Sequence, residues 1–164
     1  MERTEGSDAR LELLNGFRLI HYGELVELPR PAERLLGFLA LQDRPSPRSH
    51  VATALWLDST DARAAGSLRS ALWRLRRLGC KLVESHNRRL RLSPDLAVDH
   101  REAVVAARRL LDPSSDLERI DLDNALLSGD LLPDWYEDWV VLERERFREL
   151  RIHALESLCE RLTA

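Results

Sequence analysis

The spacing of apolar and polar residues divides this chain into two regimes: a mixed pattern up to about residue 98, and a wholly helical one from Asp99 onward. LELLNGFRLIHYGELVELP is apolar-rich with β-branched and aromatic members, and ELVELP alternates with period two. That pattern predicts two or three short strands, with a turn at Tyr22-Gly23-Glu24 and a close at Pro29 and Pro31. PAERLLGFLALQ opens with a proline where helices accept one and places Leu35, Leu36, Leu39 and Ala40 on one face. After the loop from Asp43 to Pro47, PRSHVATALW predicts a second helix, with Ser46 as N-cap and Val51, Leu55 and Trp56 inward. LDSTDARAAG leads into a third helix over about residues 61–79, with Gly79 as its C-cap. KLVESHNRRLRLSP alternates as a hairpin: Leu82, Leu90 and Leu92 inward, His86-Asn87 at the turn, Arg89 and Arg91 outward.

In the second regime DHREAVVAARRLLD is amphipathic and ends at Pro113, and LERIDLDNALLSG reads as a helix stopped by Gly129. Pro133-Asp134 then opens a long helix to about Leu162, with Phe147, Leu150, Ala154, Leu158 and Leu162 on one face. Residues 1–9 are expected to be disordered. The expected fold class is α+β, mainly α. Residues 10–98 form a winged helix-turn-helix DNA-binding domain, because three helices followed by a hairpin is that layout, and residues 99–164 form an all-α segment.

Composition fits a folded globular chain: 164 residues, 44% hydrophobic and 32% charged. No run of about 18 apolar residues could cross a membrane. The polar start MERTEGSDAR has no secretory h-region, so a cytoplasmic, nucleoid-associated protein is expected. Cys80 and Cys159 share no metal-ligand spacing with the five histidines and read as reduced thiols. No phosphate loop, nucleophile elbow or zinc-protease motif is present, and Leu126 sits where a calcium loop in DLDNALLSGD needs glycine. No catalysis, cofactor or metal is expected.

Charge changes the picture more. Residues 1–98 carry 16 basic and 12 acidic side chains, net +4, whereas residues 99–164 carry 9 and 16, net −7. Between residues 63 and 91 there are nine basic residues and one acid, Glu84. In the third helix, which contains SLRSALWRLRRLG, Ala65, Leu68, Ala71, Leu72 and Leu75 share the core face at 100° per residue. Arg63, Ser70, Trp73, Arg74 and Arg77 lie opposite, with Arg69 and Arg76 on the flank. No Glu or Asp stands between Ala62 and Leu82, so no i,i+4 salt bridges are available to these arginines on their own helix. Guanidinium groups bind phosphate and the guanine edge in bidentate geometry, so duplex DNA is the expected partner. Arg88, Arg89 and Arg91 extend the surface along the hairpin. Trp73 fits either a DNA contact or burial against the following helical segment.

LLNGFRLI, the Leu-Trp of ATALW, SLRSALWRLRRLG and VDHREAVVAARRLL resemble the DNA-binding half of the Streptomyces antibiotic regulatory protein family. GDLLPDWYEDWVVLERERFRELRIHALESL resembles the start of its bacterial transcriptional activator domain. The resemblance implies an OmpR-like winged helix followed by a tetratricopeptide-like helical domain. It also implies binding to direct repeats upstream of promoters and recruitment of RNA polymerase. At matching positions it implies DNA contact by Arg69, Arg74, Arg76 and Arg77 and by the hairpin around Arg88 to Arg91. His86-Asn87-Arg88-Arg89 stands where many such wings carry Gly-Tyr.

The acidic half is expected to bind protein, and an uncovered apolar stripe on its last helix favours a homodimer. Trp135 and Trp139, four residues apart, fit packing between helices, a ligand box or a polymerase contact. Two classes of function follow. One is a sequence-specific transcription regulator, an activator by the resemblance. The other is a protein-interaction module that modulates full-length regulators of the same family.

Overall fold

The computed structural model describes residues 9–115 and 129–163. The helix expected in LERIDLDNALLSG, apart from Gly129, and residues 1–8 of the expected disordered tail lie outside the described residues. Ala9 is already the first residue of strand β1. The chain divides into two compact units: one holds the residues up to Leu11 together with Leu19–Ala97, the other Glu12–Arg18 and the residues from Val98 on.

Strands β1 (Ala9–Glu12), β2 (Arg18–His21) and β3 (Glu24–Val26) are followed much later by β7 (Ala97–Val98), giving a sheet in the order β3-β2-β1-β7. The β2–β3 hairpin is tight because Tyr22 (φ 50°) and Gly23 (φ 80°) are both left-handed, as a two-residue primed turn requires.

The first unit continues with α1 (Arg30–Ala40), which starts directly after Pro29 and buries Leu35, Leu36, Phe38 and Leu39. Helix α2 (Arg48–Leu55) buries Val51 and Leu55, while Trp56 just beyond it is half-buried rather than fully inward. Ser46 does not cap α2. With Pro47 it forms β4 and pairs antiparallel with Leu90 of β6 (Arg89–Leu92), so the order of the second sheet is β4-β6-β5, where β5 is Val83–His86. A local pattern cannot reveal a two-residue strand whose partner lies more than 40 residues away.

Helix α3 (Asp61–Arg76) is capped by the Thr60 hydroxyl, which accepts from the Arg63 amide. It ends three residues before Gly79, with Arg77 as C-cap, and Gly79 (φ 74°) turns the chain afterwards. Its core face is Ala64, Leu68, Ala71, Leu72 and Leu75. Ala65 is half-buried instead, because it borders an open groove beside α2. The β5–β6 turn is Asn87-Arg88, one residue later than the alternation suggests, since His86 pairs with Arg89.

In the second unit α4 (Asp99–Leu111) packs along α5 (Asp138–Thr163) through Ala107, Leu110 and Ala154, with Leu150 and Leu158 beside them. Phe147 is buried too, edge-on to His100, but Leu162 is 71% exposed and lies off the packed face. The helix begins at Asp138 rather than at Pro133, because the preceding carbonyls are occupied. Buried Arg144 donates to the carbonyls of Leu131 (2.7 Å), Leu132 and Trp135 (2.7 Å), and Leu132 sits at φ 41°. Trp135 stacks on Phe17 and meets Trp139 edge-on, so the tryptophan pair is packing.

The segment Glu12–Arg18 is built into this unit. The Asp99 carboxylate accepts from the amides of Leu13 (2.8 Å), Leu14 (3.1 Å) and His100 (2.6 Å). Leu14 bridges to Leu131, and the Leu132 amide donates to the Leu13 carbonyl at 2.9 Å.

Candidate nucleic-acid interface

Helix α3 is held by its buried leucines on α1 and α2, and everything opposite them is solvent-facing. Arg63, Arg69, Ser70, Trp73, Arg74, Arg76 and Arg77 are all exposed. Among the described residues the side chains of Arg63, Arg69, Arg74 and Arg76 make no ion pair or hydrogen bond. Asp61 in the first turn and Arg74 and Arg76 in the last suit the helix dipole, which helps the helix tolerate its crowded positive charge.

The structure brings only part of the expected set together. A groove of about 980 Å³ runs between α2, α3 and the β5–β6 hairpin, lined by Arg48, Arg69, Asn87, Arg88 and Arg89, with Asp61 as its acid. Arg76 lies away from it, in a smaller groove of about 360 Å³ with Lys81 and Cys80. Burial pushes the Cys80 thiol up. Arg63 and Arg74 occupy the far flank of α3, and Ser70, Trp73 and Arg77 the outward centre. Trp73 is 56% exposed.

The hairpin arginines differ among themselves. Arg88 is exposed at the tip at φ 60°, where glycine is the favoured residue after asparagine. A side chain in that region costs about 1–2 kcal/mol. Arg89 lines the groove and donates to the Pro45 carbonyl at 3.0 Å. Arg91 is not available as a bare cation: it binds Glu84 across the hairpin at 2.7 and 2.9 Å. Hydrogen bonds from Lys81 and then Arg91 hold the Glu84 carboxyl below its ordinary range.

Arg48 is the groove residue that sequence reasoning misses. It starts α2, its amide donates to the Arg88 carbonyl at 2.9 Å, and its guanidinium reaches the Ser85 hydroxyl at 3.4 Å. The signal was an arginine directly after Pro47, at a helix N-terminus where anions are favoured.

No protein family and no curated protein matches this sequence. Among solved structures, Mycobacterium tuberculosis EmbR, in complex with a low-affinity phosphopeptide, resembles it at a TM-score of 0.66 and 22% identity. The match covers 90% of this chain and 43% of that one, so the chain spans less than half of EmbR. The likeness establishes the fold. It is α+β, a winged helix with a helical segment, similar to that of EmbR. Among the described residues no group of three or more His, Cys, Asp or Glu could hold a metal, and no helix is long and apolar enough to cross a membrane.

Proposed function

We propose that this chain is a transcription regulator that binds duplex DNA in a sequence-specific way. In this reading residues 10–98 are the DNA-binding domain and 99–164 the start of a helical activator domain. The observation that carries it is the acid-free arginine face of α3 beside a groove lined by Arg48, Arg69, Arg88 and Arg89. Outward guanidinium groups on a rigid helix leave like charges unneutralised, and a polyanion removes that repulsion while keeping their donors satisfied.

Helix α3 enters the major groove, and Arg48, Arg88 and Arg89 take phosphates on either side. Arg88 supports this division of labour. An arginine in a glycine-favouring turn position retains its charge against a conformational cost, which points to use rather than stability. Binding to promoter direct repeats, association as a homodimer on DNA and recruitment of RNA polymerase follow from the family resemblance. The exposed apolar side chains Val105, Leu111, Val141, Leu142 and Ile152 on α4 and α5 favour a protein partner for the second unit. They also sustain a second reading, in which the chain acts only as an interaction module.

Fluorescence anisotropy on duplex DNA across a salt series tests the proposal. With about five phosphate contacts, log affinity falls against log salt with a slope near −4 to −5. Replacing Arg69 and Arg74 together by alanine flattens that slope by about 2 units and leaves the fold intact by circular dichroism. A folded protein with no duplex affinity at low salt would leave the interaction-module reading in place.

A further inference from the structure

We infer that Trp73 and Arg77 act as one stacked unit that reads a thymine next to a guanine on the major-groove edge. The inference rests on the DNA-binding reading and adds the base pair step that α3 selects.

The stripe of α3 farthest from its buried face is Gly66, Ser70, Trp73 and Arg77. Its two halves differ in kind. Gly66 has helical φ, and a Cβ there would meet only Arg69 Nη2 at 3.7 Å, an ordinary contact. Nothing inside the chain therefore requires glycine at a position where alanine makes a better helix. Together with Ser70 it leaves a low stretch where a base-pair edge can come close to the backbone. One turn on, the surface rises into an indole that is 56% exposed, with the Arg77 guanidinium carbon 4.8 Å from the ring centroid.

A guanidinium packed on an aromatic face loses little of its hydrogen-bonding capacity, because its N–H donors lie in its own plane. The contact restricts a long side chain before any ligand arrives, so less freedom is lost on binding. Those donors match guanine O6 and N7. The 4.8 Å offset between guanidinium and indole is of the order of the ~3.4 Å separation of successive base pairs, so with Arg77 on guanine the indole covers the neighbouring pair. There the group that the indole edge can pack against is the thymine C5-methyl.

A protein hot spot also uses tryptophan and arginine, but here Arg69, Arg74 and Arg76 surround the pair and no acid stands between Ala62 and Leu82. Covering this patch with protein would strand several cations, whereas phosphates flank base edges in every duplex.

The test selects duplexes from a randomised pool with the whole chain and then edits the selected site. Uracil in place of the thymine removes only the methyl, and 7-deazaguanine removes only N7. Wild type is expected to lose about fourfold affinity with uracil, equivalent to burial of roughly one methylene. It should lose on the order of tenfold with 7-deazaguanine, as for a bidentate base contact. Trp73→Ala should be blind to the uracil edit and Arg77→Ala to the 7-deazaguanine edit, a pattern that a purely structural role would not give. Selected duplexes without adjacent thymine and guanine, or edits felt equally by wild type and variants, would overturn the stacked reader and leave DNA binding standing. No enrichment at all from a folded protein would overturn the DNA-binding reading beneath it.

Discussion

Helices α3 and α5 each carry five arginines, counting Arg77 at the end of α3, and use them in opposite ways. On α5 every one is engaged. Arg144 holds three carbonyls, Arg146 pairs with Glu143, Arg148 binds Asp130 and Glu145, Arg151 reaches the Gly129 carbonyl, and Arg161 reaches those of Leu110, Asp112 and Ser115. On α3 none meets an acid among the described residues, and Arg77 rests on a ring. One arginine set closes backbone and holds the helical unit together; the other faces solvent. Arginine content alone therefore says nothing about nucleic-acid binding, whereas the presence of internal acceptors does.

The sharpest way to break this contrast is Arg144→Ala. Loss of a buried charged donor orphans three carbonyls, and a cost of about 3 kcal/mol or more is expected in denaturant unfolding. Arg74→Ala should stay within about 0.5 kcal/mol of wild type in the same assay, as surface changes do. Equal costs for the two would erase the distinction.

Next in size is Arg88→Gly. Relief of the left-handed residue at the hairpin tip should raise stability by about 1 kcal/mol. The same change should weaken duplex binding and make the salt slope shallower by about 1. Opposite signs in the two measurements are the expectation; a variant that gains stability and keeps its affinity would take Arg88 out of the interface.

The α5 set can be tested by acid. The hydrogen bond from Arg148 keeps the Asp130 carboxyl below its ordinary value of about 3.9. A group with a depressed folded pKa contributes stability above its unfolded pKa and loses it as pH falls through the folded one. Asp130→Asn should thus be less stable than wild type at pH 7 by up to about 1 kcal/mol, the scale of a part-exposed pair. The difference should shrink as pH falls below the ordinary carboxylate value and through the lowered one.

The smallest effect concerns Glu84, the acid that takes Arg91 out of the cationic set. Glu84→Gln should free Arg91 and tighten duplex binding roughly twofold at low salt, with less gain as salt rises. Unchanged affinity at low salt would show that Arg91 lies beyond reach of the duplex.

Much of this was legible beforehand where many side chains repeat one signal. The leucines of α1 and α3 alternate with charge at helical spacing, and Leu68, Leu72 and Leu75 are buried where the period puts them. Legibility failed where one or two residues take their role from a distant partner. Ser46 has the chemistry of a cap, yet it pairs with Leu90; Arg48 looks like an ordinary first-turn residue of the second helix, yet its amide donates to the Arg88 carbonyl of the hairpin. The acid-free face of α3 was plain because an absence of Glu and Asp over twenty residues needs no tertiary knowledge. Pairing of Arg91 was not, because Glu84 comes beside it only when the hairpin register is known.

The segment Glu12–Arg18 has a consequence for how the chain is made. Leu13 and Asn15 take partners 86 and 115 residues further along, so the segment leaves the ribosome well before Asp99 and Asp130 exist. At about 5–20 residues per second the first of those delays lasts roughly 4–17 seconds. Throughout it the Leu13 and Leu14 amides and the Phe17 ring wait without their native neighbours. The segment Glu12–Arg18 is thus made early and finished late.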